Sequence, residues 1–238
     1  MRCIVSQKNR KKVHLNRLIM MGKPIINKSL NWSNIGYVLK DGTIQFASEE
    51  AVFNFAKNAV QRGLKSKIPY ERNVFWKNRR VLAISDGNKY RVKISKDLPE
   101  DVSSMHGHVT ESPLSTQDYI AMMCNNHKEE IAMCPSGNYS KFTRIEDSNT
   151  ISTQRKIAKI YKKGIRHERL EAFKGVCNTL RFIATLIFKK IRGVEINESE
   201  FLNFRKKMIA RATKNGVHFW EELSGEKMGA IFESNLKY

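Results

Sequence analysis

Four residues whose side chains could do chemistry lie close together in the stretch MHGHVTESPLSTQD: His106, His108, Ser115 and Asp118. On an extended backbone the side chains of residues i and i+2 point to the same side, so both imidazoles can reach one metal ion at about 2.0–2.1 Å each. Asp118 would add a third, anionic ligand. Two histidines, one aspartate and one water form a tetrahedral zinc site with an open position, which metal catalysis requires.

Ser115 and Asp118 also fit a purely structural role. A Ser-x-x-Asp sequence places serine at the N-cap of a helix and an acid at the third helical position, which is a capping arrangement. The two roles are compatible, because the start of a helix can present Asp118 to a metal ion. The Ser115 hydroxyl is therefore either a helix cap or a hydrogen-bond donor to an oxyanion.

A hydrolytic zinc site also needs a general base beside the attacking water. Glu71 is a candidate because it follows the helix break at Pro69 and opens a run rich in strand-forming residues. The alternative for Glu71 is a solvated surface side chain beside Arg72. Glu49 and Glu50 are alternative candidates for the general base. We expect them at the start of the preceding helix, whereas Glu71 follows its end.

The elements that must position these residues begin with a hairpin and a helix. The run IGYVLKDGTIQF (35–46) predicts a hairpin that turns at Asp41-Gly42. Ser48, two acids and apolar residues at helical spacing then predict an amphipathic helix over 49–66. Pro69 prevents that helix from continuing.

Strand patterns then alternate with a second helix. The run 70–95 predicts two or three strands, with Asp86-Gly87-Asn88 as a turn between two of them. A helix is expected over 115–127, and 130–145 has the pattern of a strand, a turn and another strand.

This order of motifs resembles the JAMM (MPN-plus, JAB domain) metalloprotease family. The resemblance rests on a helix that ends in IPYE, hydrophobic strands, His-x-His, a loop, and Ser-x-x-Asp at a helix start, and it covers roughly residues 48–146. Three details depart from the family pattern. Six residues separate His108 from Ser115, one fewer than usual, Gly107 stands where Ser or Thr is common, and Val109 replaces a common Pro.

The resemblance implies an α/β (α+β) fold, with a mixed β-sheet flanked by helices, and it implies a role for each candidate residue. In such a site Glu71 activates the water and Ser115 stabilises the oxyanion, while Zn²⁺ is bound by His106, His108 and Asp118. The implied function is a zinc-dependent peptidase or isopeptidase. Its substrate would be a protein or peptide, including a ubiquitin-like conjugate.

The charge balance suggests a second kind of partner. The chain has 43 Lys and Arg against 23 Asp and Glu, a formal net charge of +20, which favours anionic partners. Helical patterns rich in Lys and Arg cover roughly 152–163, 166–191 and 197–214. The alternative function is thus a catalytically degraded JAMM-like scaffold whose basic helical C-terminus binds nucleic acid or an acidic protein. A nuclease on the same basic surface is a further rival.

These patterns predict a basic N-terminal arm (1–30), a metalloprotease-like domain (31–148) and a basic, all-helical C-terminal region (149–238). Hydrophobic residues make up 41% of the chain, enough for a sizeable core.

The cysteines and the apolar segments favour a cytoplasmic protein. The four cysteines form no CxxC pair, so we expect reduced thiols. A zinc knuckle at Cys124, His127 and Cys134 would lack a fourth ligand. The N-terminus has no continuous apolar region of the kind found in signal peptides. The longest apolar stretch, near LRFIATLIF (180–188), is too short for a transmembrane segment.

Overall fold

The computed structural model describes residues 37–39, 42–87, 98–145, 151–195 and 197–238, so the predicted arm at 1–30 lies outside the described residues. The strands are β1 (Tyr37–Val38), β2 (Ile44–Gln45), β3 (Arg72–Lys77), β4 (Arg80–Asp86), β5 (Ser103–Gly107), β6 (Glu129–Met133), β7 (Tyr139–Arg144) and β8 (Ala230–Ser234). The helices are α1 (Glu49–Leu64), α2 (Thr116–Cys124), α3 (Ile151–Ile191) and α4 (Glu198–Leu223).

The strands form one mixed sheet in the order β1-β2-β4-β3-β5-β6-β7-β8. Strands β5 and β6 pair in parallel, because α2 crosses between them, and the other neighbours pair antiparallel. The predicted α+β class with a mixed, helix-flanked sheet is therefore confirmed.

Alternation along β6 shows how the sheet divides the core. Ile131 and Met133 belong to a hydrophobic cluster formed with α1, whereas Ala132 and Cys134 belong to a cluster formed with α2, α3 and α4. Successive side chains of a strand point to opposite faces, so α1 covers one face of the sheet and the other helices cover the second face.

Helix α1 begins as the sequence predicts. The Ser48 side chain accepts a hydrogen bond from the Ala51 backbone N–H at 3.1 Å, and Glu49 and Glu50 occupy the first turn, where acids are favourable. The helix ends at Leu64, two residues before the predicted end. Its buried face includes Val52 and Val60, which are fully shielded from solvent.

The strand-rich segment after α1 contains two described strands, β3 and β4. The chain reverses between β3 and β4 at Asn78 and Arg79, with Asn78 at a φ of 54°. Asp86 ends β4, and the turn predicted at Asp86-Gly87-Asn88 continues into residues outside the described ranges, so it stays a prediction. The segment 88–97, which includes the expected third strand, lies outside the described residues.

The C-terminal helices are longer than predicted. Gly164 does not interrupt α3, which runs without a break from Ile151 to Ile191, and α4 continues beyond residue 214 to Leu223. Glycine lowers helix propensity by about 1 kcal/mol, which a packed helix tolerates. The expectation of a wholly helical C-terminus was wrong at its end, because Ala230–Ser234 form β8 and pair with β7.

The helices and the final strand of the C-terminal region share a core with the sheet. Trp220 of α4 packs against Tyr119 of α2 and Phe142 of β7, and Phe142 also contacts Phe232 of β8. The predicted domain boundary at 148 falls among residues 146–150, outside the described ranges, and stays a prediction. In the described part of the chain, no helix has both the length and the apolar character needed to cross a membrane.

Candidate metal centre

The structure brings His106, His108 and Asp118 together on the α2 side of the sheet. The two Nε2 atoms are 3.1 Å apart. Asp118 Oδ1 lies 3.4 Å from His106 Nε2, and Asp118 Oδ2 lies 3.5 Å from His108 Nε2. The three predicted ligands therefore converge on one point, although they come from two different elements.

These separations are close to the distances between ligand atoms around a tetrahedral zinc ion. A tetrahedral ion bound at about 2.0–2.1 Å holds any two ligand atoms about 3.3–3.4 Å apart. The three donor atoms could move by a few tenths of an ångström and bind one ion with a fourth position left open. In the described residues, this is the one group of three or more His, Cys, Asp and Glu side chains whose donor atoms converge in this way.

The sheet register places the two histidines on one face. His106 lies in the buried strand β5, and His108 follows one residue after that strand ends at Gly107. Met105 faces the α1 side, so His106 points to the α2 side, as alternation requires. The His108 backbone N–H donates to the Met133 carbonyl at 2.8 Å and keeps this segment extended alongside β6.

Gly107, between the two histidines, is a place where the backbone of β5 and helix α1 approach closely. A Cβ atom there would lie 2.9 Å from Leu64 Cδ2 and 3.2 Å from Val60 Cγ1. The absence of a side chain lets α1 pack directly behind the His-x-His segment. This packing accounts for the glycine between the two histidines.

Both imidazoles are held through their other nitrogen atom. His106 Nδ1 is 2.9 Å from Glu130 Oε1, and His108 Nδ1 is 3.0 Å from the Ser112 carbonyl oxygen. Donation from Nδ1 to these oxygens leaves the Nε2 lone pair of each ring for a metal ion. Ligating histidines are almost always held in this way by a carboxylate or a backbone carbonyl.

Glu130 is the centre of a buried polar network. Its Oε2 accepts hydrogen bonds from His127 Nδ1 at 3.1 Å and from the Ser104 hydroxyl. Only 2% of Glu130 is exposed. Burial would raise the pKa of the Glu130 carboxyl, but its hydrogen bonds to His106 and His127 outweigh burial and lower it below its usual value. The network therefore keeps Glu130 ionised beside His106.

Asp118 is presented by the first turn of α2. The Ser115 hydroxyl accepts from the Asp118 backbone N–H, and Asp118 Oδ2 accepts from the Ser115 backbone N–H at 2.6 Å, which completes the predicted capping box. The Ser115 hydroxyl also donates to Asp118 Oδ2 at 2.7 Å. The cap therefore fixes the carboxylate toward the two histidines.

Glu71 stands at the edge of the same site. It directly precedes β3, whose Asn73 is paired with His106, so the antiparallel register continued by two residues places Glu71 opposite His108. The charges of His106, His108 and Asp118 all act on the Glu71 carboxyl. Burial raises the pKa of Glu71 above its usual value, although the two histidines oppose this.

The histidines and Asp118 perturb one another strongly. Burial disfavours the charged form of His106, but Asp118 and Glu130 outweigh burial and raise its pKa to about 9. Burial would also raise the pKa of Asp118, and the two imidazoles instead hold it well below its usual range. Such opposed shifts are characteristic of functional sites.

The C-terminal helices support the loop that carries the site. A Cβ at Gly164 of α3 would lie 2.2 Å from Thr116 Oγ1, and a Cβ at Gly216 of α4 would lie 2.8 Å from Pro113 Cγ. Trp220 Nε1 donates to the Leu114 carbonyl at 2.7 Å. Helix α3 therefore contacts the first residue of α2, and α4 contacts the loop before it; neither contact was foreseen from the sequence.

Other His, Cys and Glu side chains within residues 111–134 do not join the candidate ligand group. Glu111 accepts hydrogen bonds from the Ser136 backbone N–H and hydroxyl at 2.8 and 2.7 Å, so it ties two loops together. Cys124 is exposed, whereas Cys134 is buried, and His127 is a partner of Glu130. A zinc knuckle at Cys124, His127 and Cys134, which the sequence already disfavours for want of a fourth ligand, is not among the groups of described residues that could hold a metal ion.

No protein-family model, curated protein or solved structure matches this chain.

Proposed function

We propose that this chain is a zinc-dependent peptidase or isopeptidase of the JAMM type. The observation that carries the proposal is the convergence of His106, His108 and Asp118 at zinc-like separations, with both Nδ1 atoms already engaged by other groups. The set of two imidazoles and one carboxylate suits zinc and leaves a coordination position for water or substrate. A zinc ion bound there would supply a Lewis acid that polarises a carbonyl and makes water nucleophilic near neutral pH.

Glu71 is the general base in this proposal. Its carboxylate lies beside the metal ligands without belonging to the ligand group, and burial raises its pKa toward the working range of a proton acceptor. Glu71 would take a proton from the attacking water and pass it to the departing amine. The amide bond then breaks, and the products are a carboxylic acid and an amine.

Ser115 is the candidate donor to the oxyanion. Its hydroxyl now donates to Asp118 Oδ2, which the Ser115 backbone N–H also contacts. The hydroxyl can therefore turn toward a substrate oxygen while the backbone N–H keeps Asp118 in place. One well-placed donor of this kind contributes about 2.7–4 kcal/mol to lowering the barrier.

The choice of an amide substrate follows from the resemblance to the JAMM family. That resemblance includes the helix ending in IPYE, His-x-His and Ser-x-x-Asp, and it is supported by the convergence of His106, His108 and Asp118 from the last two motifs. We therefore propose a protein or peptide substrate, with ubiquitin-like conjugates as one class to test. The rival function, a metal-free scaffold that binds nucleic acid or a protein, requires that zinc is not bound.

The test compares Glu71→Gln with the wild-type protein. Glutamine keeps the size of the side chain and removes its basicity, so the variant should keep zinc near one ion per chain and lose cleavage of isopeptide-linked conjugates and a peptide library. Glu50→Gln is the matched control, because Glu50 is an exposed acid in the first turn of α1 and should leave turnover unchanged.

Two outcomes would contradict the proposal. Wild-type turnover in the Glu71→Gln variant would show that another residue is the general base. A wild-type protein that purifies without zinc and does not bind added zinc would rule out the metalloenzyme proposal. That result would favour the metal-free binding scaffold.

A further inference from the structure

The N-terminal half of helix α3 carries a row of basic side chains on the face that points away from the sheet. The members of this basic row are three or four residues apart and all exposed: Lys159, Lys162, Arg166 and Arg169. At about 100° of rotation per residue they lie opposite Ile160 and Gly164, which face the core. The basic row covers about 15 Å of helix at 1.5 Å per residue.

The acids of this part of α3 point the other way and leave the row uncompensated. Glu168 accepts a hydrogen bond from the Thr116 backbone N–H at 2.8 Å, and Glu171 accepts one from Asn215 of α4 at 2.8 Å. Among the described residues, no carboxylate forms an ion pair with a member of the basic row. A line of unpaired cations attracts an anionic polymer.

A groove between α3 and α4 opens beside the basic row. Its volume is about 300 Å³, at the lower end of the range of small-molecule sites, so it suits one planar group. Lys163 and Arg166 line the groove, and Arg166 thus belongs to both the groove and the row. The other lining side chains are planar, apolar or, in one case, acidic: His167, Leu170, Phe219, Leu223 and Glu222.

Two stacked rings lie at this groove. The ring centroids of His167 and Phe219 are 4.2 Å apart, and the interplanar angle is 10°. Both residues are half-buried, so part of the stack is accessible from the groove. Burial lowers the pKa of His167 below its usual value, so the imidazole is uncharged at slightly alkaline pH. Flat rings beside a basic track are the features on which nucleobases stack.

We propose that the basic row and the groove together bind single-stranded nucleic acid. Phosphates contact the basic row, while one unpaired base enters the groove and adds to the stack of His167 and Phe219. The carboxylate of Glu222 suits the N–H groups of a base rather than a phosphate. Proteins that bind single strands combine a basic track with aromatic rings in this way.

Other anionic partners would use only half of this surface. A duplex keeps its bases paired and stacked on one another, and an anionic membrane has no base to place in the groove. The proposal is independent of the proposed function, because no member of the basic row or the groove belongs to the metal centre. Asp118→Ala should therefore bind single strands as wild type does.

The test is fluorescence anisotropy of labelled oligonucleotides with the full-length chain at slightly alkaline pH. A single strand of about 12 nucleotides, within the usual range of site sizes, should bind more tightly than a duplex of equal length. The logarithm of Kd should rise with the logarithm of the salt concentration with a slope of at least about 3, because four phosphate contacts each contribute about 0.7.

Substitutions in the row and in the groove should have different effects. Lys162→Ala should lower the salt slope by about 0.7 and keep the preference for single strands. His167→Ala should weaken single-strand binding at least about 5-fold with an unchanged slope, whereas His167→Phe keeps a flat ring and should retain binding. Lys57→Ala is the control for charge, because Lys57 is exposed on α1, on the other face of the sheet.

A second groove variant protects the test against a folding defect in His167→Ala. Leu170 is 49% exposed, so Leu170→Gln should keep the wild-type circular dichroism spectrum. It should weaken binding of the single strand and leave binding of the duplex unchanged.

Four results would overturn the proposal. They are a wild-type chain that binds no single strand at low salt, a preference for the duplex, wild-type single-strand affinity in both His167→Ala and Leu170→Gln, and a salt slope that neither Lys162→Ala nor Arg166→Ala changes. Binding to anionic vesicles without binding to oligonucleotides would also reject it and would identify a membrane surface as the partner.

Discussion

Glu130 is the residue through which the buried sheet acts on the metal ligands. It holds His106 by Nδ1 and is itself fixed by His127 and Ser104, so the imidazole cannot rotate away without breaking a buried, ionised hydrogen bond. A carboxylate behind a ligating histidine both orients the ring and raises its basicity. This arrangement makes His106 the most firmly positioned of the three ligands.

Replacing this carboxylate should weaken metal binding without removing a ligand. We predict that Glu130→Gln lowers zinc affinity by about 10–100-fold, the usual effect of losing a group that supports a metal ligand. Competition with a zinc-binding dye measures the change. Glu129→Gln is the control, because Glu129 is the adjacent acid and forms its own serine contact, to Ser103 at 2.8 Å. Equal affinities for the two variants would contradict the role of Glu130.

Zinc binding should release a proton near neutral pH. The pKa of His106 is raised to about 9 in the metal-free protein, so the ring is protonated at pH 7 and the ion must displace that proton. Apparent zinc affinity should therefore rise from pH 7 toward pH 9 and fall as the pH is lowered. Calorimetry at pH 7 in buffers of different ionisation enthalpy should give about one proton per zinc. A heat that does not depend on the buffer would contradict this.

The sequence predicted the group of three side chains that could hold a metal ion, but not the residue that supports it. His106, His108, Ser115 and Asp118 are close in the chain, so local spacing was enough to group them. Glu130 reaches His106 only through the parallel register of β5 and β6, which the crossover through α2 creates. Sequence spacing carries no sign of that register, and for this reason Glu130 was not foreseen.

At the scale of elements, helix starts were predictable and helix continuity was not. Ser48 and Ser115 act through backbone groups within three residues, so their capping roles follow from local sequence. Gly164 has the local character of a helix breaker, yet α3 continues through it. Its role is set by a distant contact, since only a residue without Cβ lets α3 pack on Thr116 of α2.

Two glycines of α3 should respond oppositely to alanine. At Gly175 a Cβ would meet only Met208 Cε at 4.0 Å, so Gly175→Ala should stabilise the fold by about 0.5–1 kcal/mol through helix propensity. At Gly164 the same change overlaps Thr116 and should cost about 1–3 kcal/mol relative to Gly175→Ala. Urea unfolding of both variants measures the difference. Equal stabilisation by the two substitutions would show that α3 does not pack on α2 this closely.

At the scale of the whole molecule, the site depends on the C-terminal region. The core on the α2 face combines Leu114 and Tyr119 with Val217, Trp220 and Phe232, so the middle and the end of the described chain share one cluster. The basic composition of α3 and α4 suggested a separate binding surface. Their buried residues support the loop before Asp118, and the binding surface stays a prediction. Strand β8 could not be foreseen because its pairing with β7 spans most of the second half of the chain.

Removing Trp220 should therefore affect both stability and metal binding. Trp220 is 2% exposed, and we predict that Trp220→Ala lowers the free energy of unfolding by about 3–5 kcal/mol. Zinc affinity should fall as well, because the Leu114 carbonyl loses its hydrogen-bond donor. His218→Ala, at an exposed position of the same helix, should change stability by less than about 0.5 kcal/mol. Wild-type zinc affinity in the Trp220→Ala variant would show that the C-terminal core does not support metal binding at the site.

The central claim is that His106, His108 and Asp118 hold one zinc ion. The most direct measurement is anomalous diffraction at the zinc absorption edge from crystals of the purified protein, with Asp118→Ala crystals as the control. We expect one strong peak at about 2.0–2.1 Å from both Nε2 atoms and close to the Asp118 carboxylate. The peak should be weakened or absent in Asp118→Ala. A zinc-soaked wild-type crystal with no peak between these three side chains, or with zinc bound elsewhere, would contradict the account.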